Sequence, residues 1–255
     1  MAAVKSIVTP QAPIRREPHP TASLDTEALF GETVTVDECE NGFSHVVLGT
    51  DGYRGWMPSV CLGLMPDVTH QVIVPHSFVT AGADVKSPGI SHLSLGARIH
   101  VCLHPDDAGT SPFIEIDFAG TPGFVPRVHI SPLTVVCDDW VAVAEQLMGS
   151  PYRWGGRAST GLDCSALVQL SMAVAGKAVP RDSGPQHTIG CALGETDELQ
   201  RGDLIFWAGH VGIMQDRDRL LHANAYHMAV ASEPLAVAIG RIAVTAGPIS
   251  ARRRP

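Results

Sequence analysis

Cys164 is the side chain in this sequence best placed to do chemistry. It opens an apolar run, CSALVQLSMAVAG, that reads as a buried helix stopped at Gly176. Asp163 stands at the helix N-cap, and the Gly-rich loop SPYRWGGRASTGLD comes before it. The first turn of a helix carries about half a positive charge, which favours the thiolate, the nucleophilic form of cysteine. Two histidines can serve that thiolate. His210 opens the segment HVGIM after the turn Ala208-Gly209, and His222 lies on the next apolar segment, RLLHA. A hairpin centred on Asp216 sets the two histidines opposite each other on one face. One then pairs with Cys164 as base, and the other orients the first through its second ring nitrogen. With 12 His and 6 Cys in the chain, such a pairing also arises by accident, and buried cysteines are commonly inert packing.

The elements that must hold these groups are legible from about residue 136 onward. In DDWVAVAEQLMG, Trp140, Val143, Ala144 and Leu147 fall on one helical stripe, and Gly149 ends it. DLIFW (203–207), HVGIM (210–214) and RLLHA (219–223) read as consecutive strands. A last amphipathic helix is expected from Ser232-Glu233-Pro234, with Ser232 as cap and Pro234 in the first turn. Helices followed by antiparallel strands predict an α+β domain over residues 136–255.

The chain upstream is a repeat. GYRGWMPSVCL (52–62) and GTPGFVPRVHI (120–130) share one pattern, and FGETVTV (30–36) matches LGARIHV (95–101) in the same order. Each copy, 1–66 and 67–135, reads as a small all-β barrel of short β-branched strands. The first Gly of each GxxG block is expected to make the turn, with Trp56 and Phe124 plugging the cores.

Composition sets the outer bounds. Of 255 residues 45% are apolar, which is ample for buried cores and excludes a disordered chain. A net charge of −8 gives no general electrostatic reason to bind nucleic acid or anionic membranes. No run approaches the ~18 apolar residues of a membrane helix, and the first residues carry no apolar signal segment. The six cysteines are spread widely without a CxxC pair, which predicts reduced thiols and a cytoplasmic protein. His100, Cys102 and His104 have a metal-like spacing, but alternation and Pro105 read as an exposed strand, and no metal or organic cofactor is expected. The sequence identifies no partners for His70, His187 and His227, and Arg252, Arg253 and Arg254 read as a solvated tail.

Residues 151–169, PYRWGGRASTGLDCSALVQ, and 202–214, GDLIFWAGHVGIM, resemble the NlpC/P60 family of cysteine peptidases. Ala166 stands where that family usually has Gly, a change expected to cost little in a helix. The resemblance implies a papain-like α+β fold, with Cys164 as nucleophile, His210 as base and His222 as the orienting third member. It also implies that Tyr152 lies beside the nucleophile, either helping to hold the oxyanion or packing as an aromatic with a polar tip. Asp163 and Ser165 correspond to residues that contact substrate, and a capping role for Asp163 is compatible with that. The upstream repeats resemble bacterial SH3-like barrels through Gly31-Glu32-Thr33-Val34-Thr35-Val36 and the two GxxG blocks.

Two barrels before such a domain resemble a narrower group, the gamma-D-glutamyl-L-diamino-acid endopeptidases of the dipeptidyl-peptidase VI type. These cut stem peptides of peptidoglycan whose L-alanine amine is free. The resemblance implies that Asp182 and Ser183, in PRDS (180–183), meet that amine together with Tyr53 and a first-barrel glutamate, Glu32 in preference to Glu27. An ammonium in a closed pocket requires such carboxylates. The implied partners are peptidoglycan-derived peptides, with the diamino acid, meso-diaminopimelate or lysine, left open. Two other readings remain: a papain-like amidase or acyltransferase, and an inactive module that binds wall fragments.

Overall fold

In the structure, a computed structural model, residues 3–103, 109 and 111–255 are described; His104 of the metal-like triplet falls outside them. The chain divides into two compact units, Met1–Val136 and Cys137–Pro255.

Among the described residues the amino-terminal unit holds two seven-stranded antiparallel sheets. Numbered along each repeat, the strands follow the same spatial order, third–second–sixth–fifth–fourth–first–seventh. A single 3-10 turn, Ser59–Cys61 in one and Arg127–His129 in the other, precedes the last strand of both. Gly52 and Gly120, the first glycines of the GxxG blocks, have φ of +76° and +84° and make the turns expected of them. The aromatic residues that follow behave differently from expectation. Trp56 and Phe124 are only partly buried, and Met57 and Val125 fill the cores instead. Strand alternation is the reason: the second glycine of each block, Gly55 or Gly123, faces inward, so the next residue points out. A Cβ on either glycine would come within 2.7 Å of the neighbouring strand. Trp56 lies edge-on against His45 on the outer side.

The two repeats share a core seam. Phe30, from the first, is fully buried among Val72, Val79, Leu93 and Ile99 of the second and stacks on Phe118 at 5.0 Å. Its carbonyl accepts from Arg98 N–H at 2.8 Å, and a Cβ on Gly31 would lie 1.9 Å from the carbonyl oxygen of Arg98.

The carboxy-terminal unit is α+β. Helix Trp140–Gln146 begins at Asp139, whose side chain accepts from Val141 and Ala142 N–H, and its stripe is buried as predicted. Helix Cys164–Val174 is apolar on nearly every side and buried along nearly its whole length. It packs against two strands of a six-stranded antiparallel sheet. The sheet order is Cys191–Ala192, Ala251–Arg254, Leu204–Trp207, His210–Met214, Arg219–Asn224, Ala229–Pro234. Ile205, Trp207, Met214 and Leu220 pack against Ala238 and Ile242 of the last helix, Leu235–Ala246.

Three expectations are corrected in this unit. The terminal arginines are not a loose tail but an interior strand, with Arg253 paired to Leu204 and Arg252 to Ile205. Arg254 binds the buried Asp203 through two bonds of 2.8 Å. Ser232 is not a helix cap: Ala229–Pro234 is the last strand, paired along its length with Arg219–Asn224, and Pro234 itself is the N-cap residue. Cross-strand pairing outweighs the local Ser-Glu-Pro signal there. The central hairpin pairs Ile213 with Leu221 and Met214 with Leu220, a register two positions off the one centred on Asp216. The Asp216 carboxylate instead accepts from Asp218 and Arg219 N–H, making a longer turn. His210 and His222 are therefore diagonal neighbours on one face, not directly opposite.

Candidate active site

Cys164 is the first residue of its helix and is 7% exposed. Asp163, in extended conformation, caps that helix through Ala166 N–H at 2.9 Å. The same carboxylate accepts from Ser165 Oγ, Gly155 N–H and both terminal nitrogens of Arg181, at 2.7 to 3.1 Å. Arg181 also donates to the Gly156 carbonyl, so one buried guanidinium ties the Trp-Gly-Gly loop to the head of the helix. The loop has no space to spare: a Cβ on Gly156 would lie 2.3 Å from the Gly161 carbonyl oxygen. Trp154 is 71% exposed on its surface.

The backbone N–H of Val211 favours the thiolate of Cys164, which sets the sulfur beside the strand that His210 begins. His210 Nε2 meets His222 Nδ1 at 2.8 Å, the pairing expected from the sequence, reached through the diagonal register. His222 is fully buried, and its Nε2 meets Glu233 Oε1 at 2.8 Å. Arg241, from the last helix, contacts the same glutamate oxygen and lies 4.2 Å from the ring centre of Tyr226. Glu233, Arg241 and Arg181 were not anticipated. The first two come from the strand and helix around Pro234, and their proximity to His222 depends on a pairing that no local pattern announces.

Electrostatics sets burial against the helix terminus at Cys164. Burial, then the charge of Asp163, pushes the Cys164 thiol up to about 12, against the helix terminus and the charge of Arg181. Burial, then His222 and Arg241, pushes His210 down to about 3, and burial with Arg241 does the same to His222. Tyr152 is raised to about 12 by burial and by the Cys164 and Asp163 charges, so its hydroxyl remains a donor beside the nucleophile.

Ser183 begins a short helical turn, Ser183–Gln186, with Asp182 exposed at its head and not capping it by its side chain. Gln186, buried under that turn, donates to the carbonyls of Ser165 and Pro180. Tyr53 and Glu32 lie in the amino-terminal unit. Tyr53 packs on the first barrel's core. Glu32 is 2% exposed and accepts from Leu29 N–H and the Thr50 hydroxyl, both at 2.8 Å, so it clamps the turn at Gly31. Glu27 is buried to the same degree. Ligand atoms of His222, His227 and Glu233 lie within 4.8 Å of one another. The Arg241 cation already occupies the Glu233 oxygen, which sets this cluster against a second positive charge.

Residues 149–238 match the NlpC/P60 family, and residues 14–61 match the bacterial dipeptidyl-peptidase SH3 domain. The carboxy-terminal unit is an NlpC/P60 domain. The two repeats before it are SH3-type domains, the second sharing the strand order of the first. The chain is 29% identical over 205 residues to the gamma-D-glutamyl-L-lysine dipeptidyl-peptidase of Bacillus cereus, covering 74% of this chain and 61% of that one. It is 24% identical to dipeptidyl-peptidase 6 of Lysinibacillus sphaericus over 86% of both. A crystal structure of an NlpC/P60 family protein from Bacillus cereus superposes with a TM-score of 0.83 over 99% of both chains at 21% identity, the same fold. The NlpC/P60 match spans Cys164, His210, His222 and Glu233 and stops short of Arg241.

Proposed function

We propose that this chain is a cysteine endopeptidase that cuts the gamma-D-glutamyl–diamino acid bond of peptidoglycan stem peptides with a free N-terminal L-alanine, serving cell-wall recycling in the cytoplasm. The observation that carries the reading is the Cys164 sulfur held by Val211 N–H at the strand of the His210–His222 pair. His210 takes the thiol proton as the sulfur attacks the glutamyl carbonyl. Backbone N–H groups at the helix head, with the Tyr152 hydroxyl, hold the oxyanion. His210 then protonates the departing amine of the diamino acid, and water, losing a proton to His210, hydrolyses the thioester.

Asp182 and Ser183 receive the alanine amine. Asp182 is exposed at the head of its turn, which supports that role. Glu32 is engaged within its own barrel, by Leu29 N–H and the Thr50 hydroxyl. Six free thiols support a reducing compartment. Among the described residues no helix is long and apolar enough to cross a membrane.

Mass spectrometry of products from L-Ala-gamma-D-Glu-L-Lys and its meso-diaminopimelate counterpart tests the reading. Each is offered with free and with acetylated alanine, and Cys164→Ala serves as blank. Cleavage of the free peptides alone is expected, since a capped amine would leave the pocket carboxylate unpaired. Equal cleavage of the capped peptides would discard the amine pocket. No cleavage at all would turn the function toward an amidase, an acyltransferase or a binding module.

A further inference from the structure

The two histidines are joined in a way that determines which nitrogens carry hydrogen. His222 is fully buried and commits both ring nitrogens, Nδ1 to His210 Nε2 and Nε2 to Glu233 Oε1, each at 2.8 Å. A carboxylate oxygen only accepts, so the hydrogen in the second bond sits on His222 Nε2. In a neutral ring Nδ1 is then an acceptor, and the hydrogen between the rings belongs to His210 Nε2. His210 is left with a lone pair on Nδ1, its one remaining nitrogen. That nitrogen is the base that a thiol proton requires.

Without Glu233 this order has no anchor. His222 carrying its hydrogen on Nδ1 instead would donate to His210 Nε2, and His210 would then hold its own hydrogen on Nδ1. The same two rings at the same distance would present a donor to the nucleophile in place of a base. The charged and titratable groups facing the pair are Glu233 from the last strand, Arg241 from the last helix and His227 from the turn between strands. Arg241 and His227 both oppose a proton on His222, so its neutral forms are the ones in competition. Arg241, lying over Tyr226 and contacting Glu233 Oε1, holds the carboxylate in place.

We propose that Glu233, held by Arg241, is a positioning residue that fixes the tautomers of His222 and His210 so that His210 offers Nδ1 as base. The inference rests on the reading of Cys164 and His210 as nucleophile and base. It goes beyond that reading by assigning a fourth group and a direction to the proton relay.

Long-range proton–nitrogen correlation spectra of the full chain with nitrogen-15 histidine test it without any substrate. At neutral pH, His210 and His222 are both expected with a protonated Nε2 and a bare Nδ1. A wild-type His210 with hydrogen on Nδ1 would overturn the proposal, whatever the variants do. In Glu233→Met the pair is expected to show mixed tautomers, with kcat down about 100-fold and KM within threefold. Glu233→Gln, whose single carbonyl oxygen can take both contacts that Oε1 takes now, is expected to recover the tautomers and to bring kcat within about tenfold of wild type. Unchanged tautomers and kcat in Glu233→Met would refute the role. If Glu233→Met does not fold, the wild-type and Glu233→Gln spectra still decide. A wild-type protein with the expected tautomers but no activity on any stem peptide would instead count against the peptidase reading and leave the relay standing.

Discussion

Two arginine–carboxylate pairs stand beside the candidate site, one behind Cys164 and one behind the His210–His222 pair, and they are built for different work. Asp163 takes five donors: a helix N–H, a loop N–H, a hydroxyl and two guanidinium nitrogens. Every part of it is spent on shape, and its arginine is almost wholly buried. Glu233 uses a single oxygen for both His222 and Arg241, and that arginine is 23% exposed. The first pair is a buried brace that sets where the sulfur sits. The second touches His222, and in the proposed relay it acts on the chemistry more than on the fold. Pairs of the same composition thus do different jobs according to what else the carboxylate is asked to hold.

Four measurements sharpen or break this contrast. Replacing the groups that both pairs serve is expected to have the largest effect: Cys164→Ala or His210→Ala should lower kcat by about 10⁴-fold or more, read by peptide turnover. Retained turnover would remove the reason for either pair. Next, Arg181→Met should cost about 3–5 kcal/mol in urea unfolding, because it leaves the Asp163 charge buried without its partner. A loss below about 1 kcal/mol would show that the brace is not one.

The third is a pH effect. Histidines in the unfolded chain take up protons near 6.5, whereas burial holds His210 and His222 near 3 in the fold. As pH falls below about 6.5 the unfolded chain binds protons that the fold refuses, so stability falls. Each of the two contributes up to about 1.4 kcal/mol per pH unit. Unfolding curves between pH 7 and 4.5 check this, and His222→Asn should flatten the slope. The smallest stability change belongs to Arg241→Met, about 1 kcal/mol, since its pair is partly solvated. Its effect should appear in the rate profile instead. Arg241 helps hold His210 low, so its removal should shift the acid limb of kcat/KM toward neutral pH. An unmoved limb would erase the distinction between the two pairs.

What was legible in the sequence follows the same division. Asp163 was readable as a cap because capping is local: an Asp before an apolar run needs no distant information. Arg181 sits within PRDS, the motif singled out for Asp182 and Ser183, yet its own task shows only when residue 181 is brought to residue 163. Glu233 was read as part of a helix start, since Ser-Glu-Pro before an apolar stretch is a good local signal for one. Pairing with Arg219–Asn224 overrode it, and with the strand came the carboxylate behind His222. The terminal arginines went the same way, from a solvated run to an interior strand with Arg254 on Asp203. In the barrels, the glycine turns were local and came out as expected. The aromatic residues did not, because inward and outward facing is decided by which glycine the neighbouring strand crowds.

By itself, the sequence determined the upstream repeat, a cysteine at a helix head, the two histidines on one face and the turns between strands. All of these follow from short-range propensity, periodicity and capping, which act over a few residues. The tertiary structure alone decided the hairpin register, the membership of residues 229–234 and 251–254 in the sheet, and the two arginines behind the active site. It also decided the burial that works against a thiolate at Cys164. A helix terminus argues locally for a thiolate, but the desolvation that opposes it comes from everything packed around Cys164, and burial exists only once the chain has folded.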